Sequence, residues 1–143
     1  MKWIALAVLV STAACVPKDG PLMEAGENCQ GCHGGSGPLY LGERRREGVT
    51  WTVAGTVFEA SNPAVSVEGA QVQITDATGF SFSLRSNLAG NFYTRETVSL
   101  PLQACIQNNG HKTCQQSPVT SGSCNSCHNL SVFNAPEPPL VTP

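Results

Sequence analysis

The stretch Ala70-Gln71-Val72-Gln73-Ile74-Thr75-Asp76-Ala77-Thr78-Gly79-Phe80-Ser81-Phe82-Ser83-Leu84 decides the fold class. Apolar side chains recur at every second position, Ala70, Val72 and Ile74 and then Phe80, Phe82 and Leu84, with polar residues between them. Successive strand side chains point to opposite faces, so this alternation predicts two strands, each with one buried face. Asp76-Ala77-Thr78-Gly79 interrupts the pattern with turn residues and reads as the connection between them.

Working outward, the same period of two recurs on both sides. Val49, Trp51, Val53 and Val57 alternate with polar or small neighbours. Downstream, Asn87 to Asn91 is a turn containing Gly90 that leads into Phe92-Tyr93. Val98, Leu100 and Leu102 alternate again, with Pro101 on the opposite parity, which predicts an edge or a strand start because proline donates no hydrogen bond. Short strands with closely spaced turns predict an antiparallel β-sandwich. The composition agrees, since Val, Thr, Ser, Gly and Asn are plentiful.

Asn109-Gly110 is a favoured pair for a two-residue type I′ turn. Counting outward, Asn108 faces His111, Gln107 faces Lys112, Ile106 faces Thr113 and Cys105 faces Cys114. The cysteines then occupy a non-hydrogen-bonded pair, where Cα atoms approach to about 4.5 Å, within disulfide reach. The spacing therefore predicts a Cys105–Cys114 disulfide that steadies the hairpin tip carrying His111.

Two further segments flank this β region. Cys29-Gln30-Gly31-Cys32-His33 and Cys124-Asn125-Ser126-Cys127-His128 both read Cys-x-x-Cys-His, the attachment pattern for c-type haem. Two thiols spaced by a short turn add to the two vinyl groups on one porphyrin edge, and the adjacent histidine is held where it can ligate iron. The expected cofactor is two covalently attached haem c groups, one on Cys29 and Cys32 and one on Cys124 and Cys127. His33 and His128 are then the proximal ligands. The chain has three histidines, so His111 is the one spare imidazole and a candidate distal ligand. Met23 is the thioether candidate, on a segment that reads as a tether. Little sequence lies outside the sandwich to wrap either porphyrin, which predicts an exposed haem edge and favours electron transfer over a sealed pocket.

Seven cysteines in 143 residues point to an oxidising compartment. Lys2, the apolar run Trp3 to Val10 and the small residues Ser11-Thr12-Ala13-Ala14 read as an export signal. Cys15 after Ala13-Ala14 resembles the lipidated cysteine of a bacterial lipoprotein signal, although Thr12 replaces the usual apolar residue. The alternative is plain cleavage nearby, which leaves Cys15 as a free thiol. Arg44-Arg45-Arg46, flanked by Glu43 and Glu47, reads as a solvated turn or as a partner for haem propionates. Gly34-Gly35-Ser36-Gly37-Pro38 is either a backbone able to pass close to a flat macrocycle or a flexible loop.

Gly55-Thr56-Val57, Pro63, Val67-Glu68-Gly69-Ala70-Gln71-Val72 and Asn87-Leu88-Ala89-Gly90-Asn91-Phe92-Tyr93 together resemble the carboxypeptidase regulatory-like domain. That resemblance covers about Thr50 to Gln107 and implies a transthyretin-like sandwich, an accessory module without catalysis of its own. The two pentapeptides resemble c-type cytochromes, without the helical surroundings and downstream methionine of the monohaem class.

The expected class is therefore mainly β, a single antiparallel transthyretin-like or Ig-like β-sandwich with irregular haem-binding segments at both ends. The expected divisions are an export signal over 1–14, a tether over 15–28 and an N-terminal haem-attachment segment over 29–48. A sandwich with its disulfide hairpin follows over 49–116, then a C-terminal haem-attachment segment over 117–134 and a proline-rich tail over 135–143. The expected function is an exported dihaem cytochrome, anchored through lipid on Cys15 at the bacterial envelope, in the periplasm or on the outer membrane. There it passes single electrons between redox protein partners. With a formal charge of −2 and charged residues at only 13%, no basic face points to nucleic acid. No Ser-His-Asp set, paired-carboxylate pattern or phosphate-cradling glycine loop supports hydrolase or transferase chemistry.

A second class remains open. The four motif cysteines can form disulfides, or a structural metal site, in a non-haem binding or scaffold lipoprotein. Two Cys-x-x-Cys knuckles suit zinc, but here they lie far beyond ribbon spacing, and the histidines after them have no role in a four-cysteine site.

Overall fold

The computed structural model describes residues 22–23, 25–34, 50–62, 64–128 and 140–142. The export signal, Cys15, the stretch 35–38, Arg44–Arg46 and most of the proline-rich tail lie outside the described residues, as does the side chain of Cys32.

The chain is mainly β, with two antiparallel sheets. The smaller pairs β1 (Val53–Thr56) with β4 (Asn91–Thr94). The larger has four strands in the order β3 (Ser81–Arg85), β2 (Gln71–Thr75), β5 (Gln103–Asn108), β6 (His111–Cys114). Val53 and Phe92 from the first sheet, with Val57 just beyond β1, meet Val72, Ile74 and Ile106 from the second, and Ala70 and Leu102 complete the core. Each large apolar side chain buried there contributes about 1.5–3 kcal/mol relative to exposure.

The β2–β3 hairpin forms with Val72 opposite Leu84 and Ile74 opposite Phe82, but Phe80, expected on the buried face, lies just before β3 and is about half exposed. Its turn is organised by Asp76, whose Oδ1 accepts hydrogen bonds from the Thr78 amide at 2.8 Å, the Thr78 hydroxyl at 2.6 Å and the Phe80 amide at 3.0 Å. Asp76 Oδ2 accepts the Ser99 amide at 3.0 Å, tying the turn to the segment that leads into β5. At the β3–β4 turn, Asn87 Oδ1 accepts the amides of Ala89 and Asn91, and Gly90 adopts a φ of 72°. A Cβ at Gly90 would stand 2.6 Å from the Val57 carbonyl, so glycine is required by both backbone and space.

The disulfide hairpin has the expected register. Cys105 pairs with Cys114 and Asn108 with His111, around Asn109 (φ 48°) and Gly110 (φ 83°). The disulfide is formed across a Cα separation of 3.9 Å.

Two further local expectations need correction. Val98 and Leu100 do not continue a strand: β5 begins at Gln103, and Leu102 makes only an isolated bridge with Val119. Pro101 has no amide to donate, so the ladder starts beyond it. Leu100 is left half exposed, while Val98 still packs against the core. Nor does β1 have one wet face, because all four of its residues are buried. Its outer surface and free edge are covered by the two ends of the chain, and that covering builds the candidate site.

Candidate functional site

The first cysteine–histidine motif is a single helical turn, α1 (Cys29–His33), and the second a 3-10 turn (Cys124–Ser126) running into Cys127 and His128. In each, residues i and i+3 fall on one side of the turn, which is how a Cys-x-x-Cys pair presents both thiols together. The second turn is closed by the Cys127 and His128 amides on the Cys124 carbonyl, at 3.2 and 3.0 Å. The Ser126 hydroxyl also donates to the Ser123 carbonyl at 2.6 Å.

The fold brings these two turns to the same strand. Ala54 donates its amide to the Gly122 carbonyl at 2.9 Å, so residues 122–123 run parallel along the free edge of β1. Residues 140–142 continue along that edge, with the Phe58 amide on the Leu140 carbonyl at 2.7 Å and the Thr142 amide on the Phe58 carbonyl at 2.9 Å. An otherwise open sheet edge is thereby covered. From the N-terminal motif, Gln30 Nε2 donates to the carbonyls of Trp51 and Thr52 at 3.0 and 3.1 Å. The Trp51 amide donates to the His33 carbonyl at 3.2 Å.

Buried polar groups lock the arrangement. Asn125, only 1% exposed, donates from Nδ2 to the Glu27 carbonyl at 2.8 Å and to Thr56 Oγ1 at 3.0 Å. The Thr56 amide donates back to Asn125 Oδ1 at 3.0 Å. Thr56 Oγ1 also accepts the Gly26 amide at 3.0 Å and donates to Asn91 Oδ1 at 2.7 Å, so its one donor and two lone pairs are all used. Asn91 Nδ2 in turn donates to the Met23 carbonyl at 2.7 Å. The Ser123 hydroxyl donates to Asn28 Oδ1 at 2.7 Å, joining residues 95 apart in sequence. Residues 25–28, expected as the end of a tether, are thus docked on β1.

Cys29, Cys124 and Cys127 are all free thiols. Burial pushes the Cys124 thiol up to about 12, helped by like-charge repulsion from Cys29. Cys29 is raised as well, by burial first and then, against a backbone hydrogen bond, by Glu27. Both therefore stay as uncharged, weakly nucleophilic thiols at neutral pH. Cys124 reaches this position because residue 55 is glycine: a Cβ there would fall 2.8 Å from Cys124 Cβ and 2.6 Å from Phe92 Cζ.

Each motif faces a distinct surface. Cys124, Cys127 and His128 line an apolar cleft of about 220 Å³ between the sheets, walled by Phe92, Ile106, Val119 and Leu140 among others. His33 instead packs beside Trp51 (ring centroids 5.8 Å apart), which stacks on Tyr93 at 4.4 Å. Arg95 lies 5.4 Å over the Trp51 ring. Met23 Sδ is 3.3 Å from His33 Nε2.

Two features are compatible with a haem. The C-terminal motif opens onto an apolar slot suited to a porphyrin edge. At the N-terminal motif, Trp51 Nε1 is buried without a hydrogen-bond partner, a donor that a propionate would satisfy, with the Arg95 charge close by. His111 is exposed at the hairpin tip and is not among the cleft residues. Among the described residues no group of three or more His, Cys, Asp or Glu side chains converges as a simple metal site. Sequence reasoning missed Thr56, Asn91, Asn125 and Trp51 as parts of the site. A buried asparagine between two motif cysteines gives no periodic signal, and its partners lie far away in the chain.

Comparison with protein-family models, curated proteins and solved structures found no match.

Proposed function

We propose that this chain is a small exported dihaem c-type cytochrome that passes single electrons between protein partners at the cell envelope, anchored through lipid on Cys15. The observation that carries the reading is the docking of both Cys-x-x-Cys-His turns on β1, bridged by Asn125 to Glu27 and Ser123 to Asn28. Electron exchange between two haems requires the two motifs to lie close, and docking on one strand brings them together.

In this reading Cys29 and Cys32 bond one porphyrin, and Cys124 and Cys127 the other. His33 and His128 are the proximal ligands. Bound haem iron supplies the one-electron chemistry. The chain supplies covalent attachment, fixed spacing and partial exclusion of water. Pockets that enclose a whole ligand run to roughly 300–1,000 Å³. A cleft of about 220 Å³ therefore covers part of a porphyrin and leaves the remainder for a partner to approach. The sandwich, which resembles a carboxypeptidase regulatory-like module, acts as scaffold. Pyridine haemochrome absorbance and iron analysis of protein made with c-haem attachment machinery test the reading. Two haems per chain support it, and iron-free protein overturns it.

One observation favours a second reading. Distance along the chain counts against a four-cysteine metal site, and the fold shortens that distance by docking both motifs on β1, although among the described residues Cys29, Cys124 and Cys127 do not converge as a metal group. A structural zinc leaves the orphaned Trp51 donor and the His128-lined cleft without a purpose, so haem is preferred. Zinc without iron in the purified protein would reverse that preference.

A further inference from the structure

We infer that residues 140–142 are a strap that lifts from β1 and controls access to Cys124 through the apolar cleft; its purpose rests on the dihaem reading above, while its motion does not. The strap lies along the continuation of β1. The Phe58 amide donates to the Leu140 carbonyl at 2.7 Å, and the Thr142 amide donates to the Phe58 carbonyl at 2.9 Å. These bonds flank one parallel bridge, between Phe58 and Val141. Leu140 packs against the core and lines the cleft together with Cys124, Cys127 and His128.

The two cysteines of the second motif stand differently in this arrangement. Cys127 is exposed, so a reagent reaches it with the strap in place. Cys124 is partly buried, and β1 closes one side of it at Gly55, where an added Cβ would fall 2.8 Å from Cys124 Cβ. The cleft lies on another side, and Leu140 is part of its wall. Lifting the strap removes that part of the wall and opens the cleft towards Cys124. In the dihaem reading the group admitted is the edge of a porphyrin.

The strap is held more weakly than the sheets beside it. Strand β2 makes five residue pairs with β3 and five with β5, whereas the strap makes a single bridge. Segments with few backbone bonds and little buried area open locally, well below the free energy of global unfolding. Phe58 is 2% exposed and Thr142 8%, so their amides meet solvent only when the strap lifts.

The test uses the full haem-free chain. In native-state hydrogen exchange the Phe58 and Thr142 amides should exchange together, and faster than the amides of the β2–β5 ladder. Thr142→Pro removes the amide that bonds the Phe58 carbonyl. Losing one such bond should raise the open population about two- to tenfold, and with it the rate at which iodoacetamide labels Cys124 at neutral pH. Labelling of Cys127 should stay unchanged. A chain ending at Pro139 should label Cys124 at least as fast as Thr142→Pro. Phe58 and Thr142 amides as protected as the ladder, or equal labelling of Cys124 in all three proteins, would overturn the inference. A wild-type chain that takes up no haem beside active attachment machinery removes the dihaem reading, and exchange and labelling still decide the strap.

Discussion

The Asn125 side chain pairs with Thr56 as another backbone would: its carbonyl accepts the Thr56 amide and its amide donates to the Thr56 hydroxyl, both at 3.0 Å. This one residue inside the second Cys-x-x-Cys-His motif binds strand β1 and, through the Glu27 carbonyl, the approach to the first motif. Asn125→Leu keeps the volume but orphans the buried Thr56 amide, while the Thr56 hydroxyl keeps Gly26 and Asn91. An unsatisfied buried group costs about 1–3 kcal/mol, so a loss of that size is expected. Thr56→Val should cost a similar amount. Urea midpoints of haem-free protein check both, with Asn62→Ala as an exposed control.

Gly55→Ala tests the close approach of the second motif to the sheet. The added methyl meets Phe92 and Cys124, neither of which is a flexible chain end. Overpacking of this kind costs about 1–3 kcal/mol. Displacement of Cys124 should also lower haem attachment at the second motif and spare the first, as peptide mass mapping would read.

The β architecture was legible because alternation and turn chemistry are local. Val72, Ile74, Phe82 and Leu84 sit where their spacing places them, and Asn109-Gly110 set the hairpin register residue by residue. Pro101 ended the alternation sooner than the apolar pattern implied. The meeting of the two motifs was not legible. It depends on Gly55 and Gly122 admitting close contact and on Asn125 finding partners at Glu27 and Thr56, pairings that no local periodicity encodes.

Breaking the disulfide should be mild and local. Cys105 and Cys114 are nine residues apart, so the ring closed is short and its loop-entropy contribution is about 2–3 kcal/mol at most. A Cys105→Ser, Cys114→Ser double variant should lose no more than that in chemical denaturation. Together with His111→Ala it should keep the wild-type haem spectrum. A changed spectrum in His111→Ala would place that histidine on iron.

Thiol reactivity should separate the motif cysteines in protein lacking haem. Cys127 is exposed, whereas burial and the neighbouring Cys29 push Cys124 up to about 12. Alkylation at neutral pH without reductant should label Cys127 before Cys124, with the order read by peptide mass spectrometry. Rapid labelling of Cys124 would contradict the docked arrangement.

Acid should loosen the β2–β3 turn. Hydrogen bonds from the Thr78 hydroxyl and the Ser99 amide, then from the Thr78 and Phe80 amides, hold Asp76 below its ordinary 3.8 against a smaller opposing effect of burial. A depressed carboxylate stabilises fully above its unfolded value and loses that contribution as pH falls through the lower folded one. Melting temperature should therefore drop more steeply below about pH 4 in the wild type than in Asp76→Asn, while the variant is the less stable of the two at neutral pH.

The central claim is that porphyrin is bonded to both ends of this chain where they meet on β1. Intact mass of the mature protein, made where haem attachment operates, tests it directly beside the Cys29→Ser, Cys32→Ser and Cys124→Ser, Cys127→Ser double variants. Two haem masses on the wild type and one on each variant are predicted. A wild-type mass without porphyrin, with the attachment machinery shown to be active, would contradict the account.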